Sequence, residues 1–123
     1  MALSCCRGLI MSENMLLDEA LLADYKSTLG MEIVQQMLAL YIEQSSIYLQ
    51  DVKLAATAED DHLWHDKCHK MKGAVSSIGF LSLRTFILTI EYSEEAANTK
   101  LHYYEKLMVM NKASILAFNA WLN

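Results

Sequence analysis

The chain has 123 residues, 54% hydrophobic and 20% charged, which is enough apolar material for one domain around one core and too much for a disordered chain. A net charge of −5 argues against nucleic acid or an anionic membrane as partner, since either needs clustered Lys and Arg, and favours a protein. With no Pro and four Gly, the chain lacks the turns that sandwiches, barrels and doubly wound sheets require, so an all-α fold is expected.

Residues 1–15 are set apart as a tail. Met1 to Ile10 is apolar but short, has Arg7 as its one positive charge and makes a poor secretory signal, while Met11 offers a second start. The adjacent Cys5 and Cys6 and the distant Cys68 form neither a disulfide framework nor a zinc spacing, which suits a reducing, cytoplasmic setting. No apolar run reaches the roughly 20 residues of a membrane span. Residues 16–123 form the expected domain. In Leu16 to Leu29, Leu17, Leu21, Tyr25 and Leu29 recur every four residues, and Gly30 stands where a helix stops. A long helix follows from Met31 to about Glu59, with Ile33, Met37, Leu40, Tyr41, Ile47, Tyr48, Val52 and Ala55 as its apolar stripe. Glu59, Asp60 and Asp61 make a turn and an N-cap for a third helix to Ile78. Gly79 interrupts, and Phe80 to Ala97 is expected as a fourth helix with Leu83, Phe86, Ile87 and Ile90 on one side. Asn98 and Thr99 offer a cap for the last helix, Lys100 to Leu122, striped by Leu101, Tyr104, Leu107, Met108, Ile115, Phe118 and Trp121. Four long helices with short connections predict an antiparallel four-helix bundle, with the additional short N-terminal helix across one end.

Chemistry concentrates in the third helix, whose sequence DHLWHDKCHKMKGAVSSIGF carries His62, His65 and His69. At about 100° per residue, His62, His65, Lys72, Gly73, Ser76 and Phe80 fall within about 60° of His69, with Asp66 at the margin. Trp64, Met71, Val75 and Ile78 lie opposite, flanked by Cys68, and should enter the core; Lys67 falls towards that side and would snorkel. His69 should then stand in solvent, with Lys72 one turn on. Gly73 costs about 1 kcal/mol relative to Ala inside a helix, so it has either an access role beside the imidazole or a packing role against another helix. A neutral imidazole has a lone pair for attack on phosphorus, and a neighbouring lysine places positive charge by the phosphoryl oxygens. Ser76 has no base or orienting acid in view and is read as a small neighbour.

Two other readings compete. His62, His65 and His69 at i, i+3 and i+7 could chelate Zn²⁺ or Ni²⁺, but only Asp66 offers a further ligand nearby, and no metal is expected. Glu59 and His62 form one Glu-x-x-His without the second copy a di-iron bundle needs. A non-catalytic adaptor bundle is the remaining alternative. His102 is expected at the surface, and Glu91, Glu94 and Glu95 as a solvated acidic face.

In HKMKGAVSSIG, His69, Lys72, Gly73 and Gly79 resemble the HxxKG(x)5G signature of histidine-containing phosphotransfer (HPt) domains of bacterial phosphorelays. The stretch LGMEIVQQMLALYIEQ is similar to the family's Leu-Gly, helix, apolar-aromatic pattern, and the helix order agrees over Leu16 to Leu122; Cys68 stands where the family commonly has Ala. The resemblance implies a cytoplasmic phosphocarrier that accepts a phosphoryl group on His69 from a receiver-domain aspartate and passes it to another. Lys72, Gly73, Ser76 and His65 would neighbour the phosphoryl site, and His62, Asp66 and Phe80 would form the docking surface. Its partners would be receiver domains of a response regulator and of a hybrid sensor kinase, with Mg²⁺ supplied by the receiver and no cofactor in this chain. The sequence has no GxxxxGK[ST] and no Gly-rich loop, so no ATP site and no kinase activity are expected. Having enough helices to close its own bundle, the chain is expected to be a monomer.

Overall fold

A computed structural model describes residues 15–123; Cys5, Cys6 and Gly8 of the tail lie outside the described residues. Among the described residues five helices follow one another: α1 (Glu19–Leu29), α2 (Met31–Thr57), α3 (Asp61–Ser77), α4 (Leu81–Ile90) and α5 (Ala97–Leu122). α2 packs against α3 and α5, α3 against α4, and α4 against α5, closing a four-helix bundle, while α1 lies on α2. The all-α bundle with a short extra N-terminal helix is the architecture expected from the sequence. Among the described residues no helix is long and apolar enough to cross a membrane.

Helix ends are set by local chemistry. Asp18 and Asp60 each accept a hydrogen bond from a first-turn amide, Leu21 at 3.1 Å and Leu63 at 3.0 Å, which satisfies donors that the helix itself leaves open. Gly30, at φ 93°, ends α1 and starts α2 within a single residue, a backbone setting that glycine alone adopts without strain. α1 begins at Glu19 rather than Leu16, because the preceding backbone is engaged elsewhere. Leu17 and Phe80 form an isolated antiparallel bridge, in which Asp18 N–H donates to Gly79 O at 2.8 Å and Leu81 N–H to Leu16 O at 3.0 Å. The α3–α4 turn is thereby tied to the start of the domain. α4 ends at Ile90, seven residues short of the expected Ala97, and α5 starts at Ala97 without a side-chain cap.

The core holds Leu22, Val34, Val52, Trp64, Met71, Phe80, Leu83, Ile87, Leu107 and Phe118 in full burial, each large side chain contributing about 1.5–3 kcal/mol of transfer free energy. Phe80 packs edge-on against Tyr41 and Phe118, with ring centroids 4.9 and 6.2 Å apart. It is therefore not the docking residue the helical wheel suggested. The α2 stripe holds in part: Tyr41, Val52 and Ala55 are buried as expected and Met37 and Tyr48 half-buried, but Ile33, Leu40 and Ile47 are exposed, and Val34, Leu38 and Ser45 are buried instead. On α5 the buried positions are Lys100, Leu107, Asn111, Ser114 and Phe118, a regular helical spacing that contains three polar residues. Leu107 and Phe118 belong to the expected stripe, but Met108 is exposed and Leu101, Tyr104, Ile115 and Trp121 are only half-buried.

Asn111 and Lys100 are inside because they meet partners, whereas the Ser114 hydroxyl is buried without one. Tyr41 Oη donates to Asn111 Oδ1 at 2.6 Å, and Asn111 Nδ2 donates to Ser45 Oγ at 3.2 Å, which joins α2 to α5. Burial pushes the Tyr41 phenol well above its ordinary range, so it stays a donor. The Lys100 ammonium pairs with Asp61 in the first turn of α3 and lies 5.6 Å from the Trp64 ring centroid. A hydropathy pattern cannot find such positions, because their burial depends on a side chain from another helix.

Candidate functional site

α3 is locked in rotation by the burial of Trp64, Cys68, Met71 and Val75 along one side, as the wheel predicted. Its opposite side turns His62, His69 and Gly73 outwards, and the His69 side chain is 63% exposed. Gly73 has no atom within 4 Å of where a Cβ would stand, so it is open to solvent and does not serve close helix packing. Beside it, between α2 and α3, runs a groove of about 400 Å³ lined by Met37, Tyr41, Tyr48, Lys70, Gly73 and Ser77.

Under His69 sits Glu91, only 1% exposed and not part of a solvated acidic face as expected; Glu94 and Glu95 are exposed. Glu91 directly follows Ile90 at the end of α4, and its amide donates to Ile87 O at 2.9 Å. The expectation treated three glutamates as one helical face, but the helix ends before the second and third. The signal was available: Glu91 lies four residues after Ile87 and continues the buried side of Leu83, Ile87 and Ile90. Two residues of α3 hold this corner. Trp64 Nε1 donates to Ile90 O at 2.8 Å, and His65 Nδ1 lies 3.3 Å from Glu91 O while its ring stacks on Tyr92 at 4.4 Å.

The Glu91 carboxylate gathers the polar groups of α3. Lys72 Nζ donates to Oε2 at 2.8 Å, and the nearest Oε1 contacts are His69 Nδ1 at 3.4 Å and His65 Nδ1 at 3.9 Å. At those lengths Oε1 is buried without a full hydrogen bond. Burial works to raise the Glu91 carboxyl, but the Lys72 hydrogen bond and charge, helped by His69 and His65, outweigh it and hold the group below the ordinary carboxylate range. Lys72 itself is 18% exposed, so it is not the free surface cation expected from the wheel but one half of a largely buried ion pair.

The remaining candidates separate by position. His62 is exposed and faces Asp66 at 3.5 Å on its own helix, outside the Glu91 cluster. The Ser76 hydroxyl donates to Lys72 O at 2.7 Å, which occupies it about two turns away from His69. Cys68 is fully buried and its thiol is pushed up to about 12, by burial first and by Glu91 next, so it stays protonated and inert. His102 is exposed.

No family model and no curated protein matches the sequence. Among solved structures, the chain is similar to the histidine-containing phosphotransfer domain of ArcB from Escherichia coli, with a TM-score of 0.76 and 23% identity over 87% of this chain and 92% of that one. The fold is that of a histidine-containing phosphotransfer domain.

Proposed function

We propose that this chain is a histidine phosphotransfer protein that accepts a phosphoryl group on His69 from a receiver-domain aspartate and hands it to the aspartate of another receiver. The observation that carries this reading is the His69 ring itself: 63% exposed on an HPt fold, with Nδ1 turned to a buried carboxylate. Glu91 favours the proton on Nδ1, which leaves the Nε2 lone pair facing outwards. Nε2 attacks phosphorus, the N–P bond forms as the P–O bond to the donor aspartate breaks, and the aspartate departs as a carboxylate. The ring then carries positive charge, which Glu91 faces at close range. The open Gly73 position gives a receiver room to approach. Lys72 acts chiefly on Glu91 and lends its charge to the phosphoryl oxygens from beside it. Mg²⁺ and the acidic pocket belong to the receiver. The partners fitting this role are receiver domains of a response regulator and of a hybrid sensor kinase, and the chain acts as a carrier without an ATP site.

Transfer from a receiver carrying labelled phosphoryl tests the reading. An acid-labile, alkali-stable adduct is expected in the parent chain, in His62→Gln and in His65→Gln, and none in His69→Gln. Undiminished labelling of His69→Gln removes the assignment.

A further inference from the structure

The Glu91 oxygen left without a full hydrogen bond points towards two imidazole nitrogens. One ligand atom from each of His65, His69 and Glu91 lies within 4.8 Å of the other two, and the carboxylate among them is 1% exposed. We infer that His65, His69 and Glu91 form a binding site for a borderline divalent cation of the Zn²⁺ type, held by Nδ1 of each histidine and Oε1 of the glutamate.

Geometry favours the site over the histidine spacing visible in the sequence. Tetrahedral zinc with bonds of about 2.0–2.1 Å places its ligand atoms about 3.3–3.5 Å apart. The Oε1 contacts of 3.4 Å to His69 and 3.9 Å to His65 are already close to that spacing. His65 and His69 sit at i, i+4 on one rigid helix, and Glu91 is held at the end of α4 by its backbone bond to Ile87 and by the Trp64 contact to Ile90. A cation would exchange the Nδ1 proton of His69, and the 3.3 Å contact of His65 to the Glu91 carbonyl, for two metal bonds. It would also supply Oε1 with the partner it lacks, which in a buried carboxylate is worth more than at the surface. The His69 ring, 63% exposed, leaves its side of the site open for a water as fourth ligand. Two imidazoles and one carboxylate select zinc-like ions over Mg²⁺ and Ca²⁺, which prefer oxygen. The pair of His62 and Asp66 has no buried donor and so lacks this arrangement.

Lys72 is the opposing element. Its ammonium sits on Oε2, the other oxygen of the same carboxylate, and repels a second cation. Removing it should therefore strengthen metal binding, which no surface histidine pair would show.

The test is calorimetric titration of the full chain with Zn²⁺ alone, in a Cys5→Ser, Cys6→Ser background that removes competing thiols, alongside Co²⁺ absorption as a reporter of coordination. It needs no phosphoryl donor, so its outcome is independent of the phosphoacceptor reading. One ion per chain is expected, at a dissociation constant of about 10 µM or tighter. Affinity should fall about tenfold or more in His65→Asn and in Glu91→Gln, rise in Lys72→Ala, and stay unchanged in His62→Asn. Should Glu91→Gln fail to fold, His65→Asn and Lys72→Ala carry the same decision. Parent-like affinity in His65→Asn, an equal loss in His62→Asn, or no binding at millimolar Zn²⁺ overturns the site.

Discussion

Lys72 and Glu91 depend on each other: an ammonium 2.8 Å from a carboxylate that solvent does not reach. Removing either partner of a buried ion pair costs several kcal/mol because the other charge is left uncompensated, and the partial exposure of Lys72 reduces that figure. Lys72→Ala is therefore expected to lower stability by about 1–3 kcal/mol, not by the few tenths typical of a surface lysine. Glu91→Gln should cost less, since it removes the buried charge itself, and the double variant Lys72→Met with Glu91→Gln should recover much of the loss. Thermal melts of the three proteins check this; a Lys72→Ala melt equal to the parent would show the pair to be energetically idle. Phe80→Ala is expected to cost about 3–5 kcal/mol through cavity formation, because its ring is fully buried between Tyr41 and Phe118. A parent-like melt for this variant would return Phe80 to the surface role.

At the scale of elements, two glycines of the HPt-like signature are expected to respond to alanine with opposite signs. Gly73 lies inside α3 with nothing within 4 Å of an added Cβ, so Gly73→Ala should stabilise the helix by about 1 kcal/mol. Gly79 turns the chain from α3 to α4 at φ 78°, and an added Cβ would meet the Leu22 side chain at 3.4 Å. Gly79→Ala should destabilise by about 1–2 kcal/mol, since left-handed backbone strains any L side chain. Urea unfolding of both variants decides the matter, and a shift of the same sign in both would refute the assignment. Gly73→Leu separates stability from access: its fold should hold while transfer from a receiver falls, because the larger side chain fills the open approach beside His69. The spacing of His69, Lys72, Gly73 and Gly79 was legible in the sequence, as was the rotation of α3, because one helix determines both. The end of α4 was not, since no Gly, Pro or cap marks Ile90 as the last helical residue. Missing it ran Glu91 together with Glu94 and Glu95 as one acidic face, although its spacing from Leu83 and Ile87 sets it on the buried side.

For the whole molecule, the four long helices close a core of fully buried Trp64, Phe80, Leu107 and Phe118 within one chain. A monomer is the expected state at micromolar concentration, read by sedimentation equilibrium, with no label taken up from ATP. The exposed Leu40, Ile47 and Leu54 recur every seven residues along one face of α2, as Val109 and Leu116 do on α5, and these are the faces a dimer would use. A stable dimer that labels itself from ATP would displace the carrier reading in favour of a kinase.

Length, the lack of Pro and the 3.6-residue period were sufficient for the all-α class, for the order of the helices and for an outward His69 over an inward Trp64, Cys68, Met71 and Val75. Each of those follows from spacing along one segment, which the sequence states directly. Tertiary structure alone decided that Ser45, Lys100 and Asn111 are interior, because their partners come from helices 66 residues away for Ser45 and Asn111 and 39 residues away for Lys100 and Asp61. It alone also brought Glu91 beneath His65, His69 and Lys72. A polar side chain is buried when a complementary group meets it there, and that meeting is set by how helices pack against one another, a relation no single stretch of sequence contains.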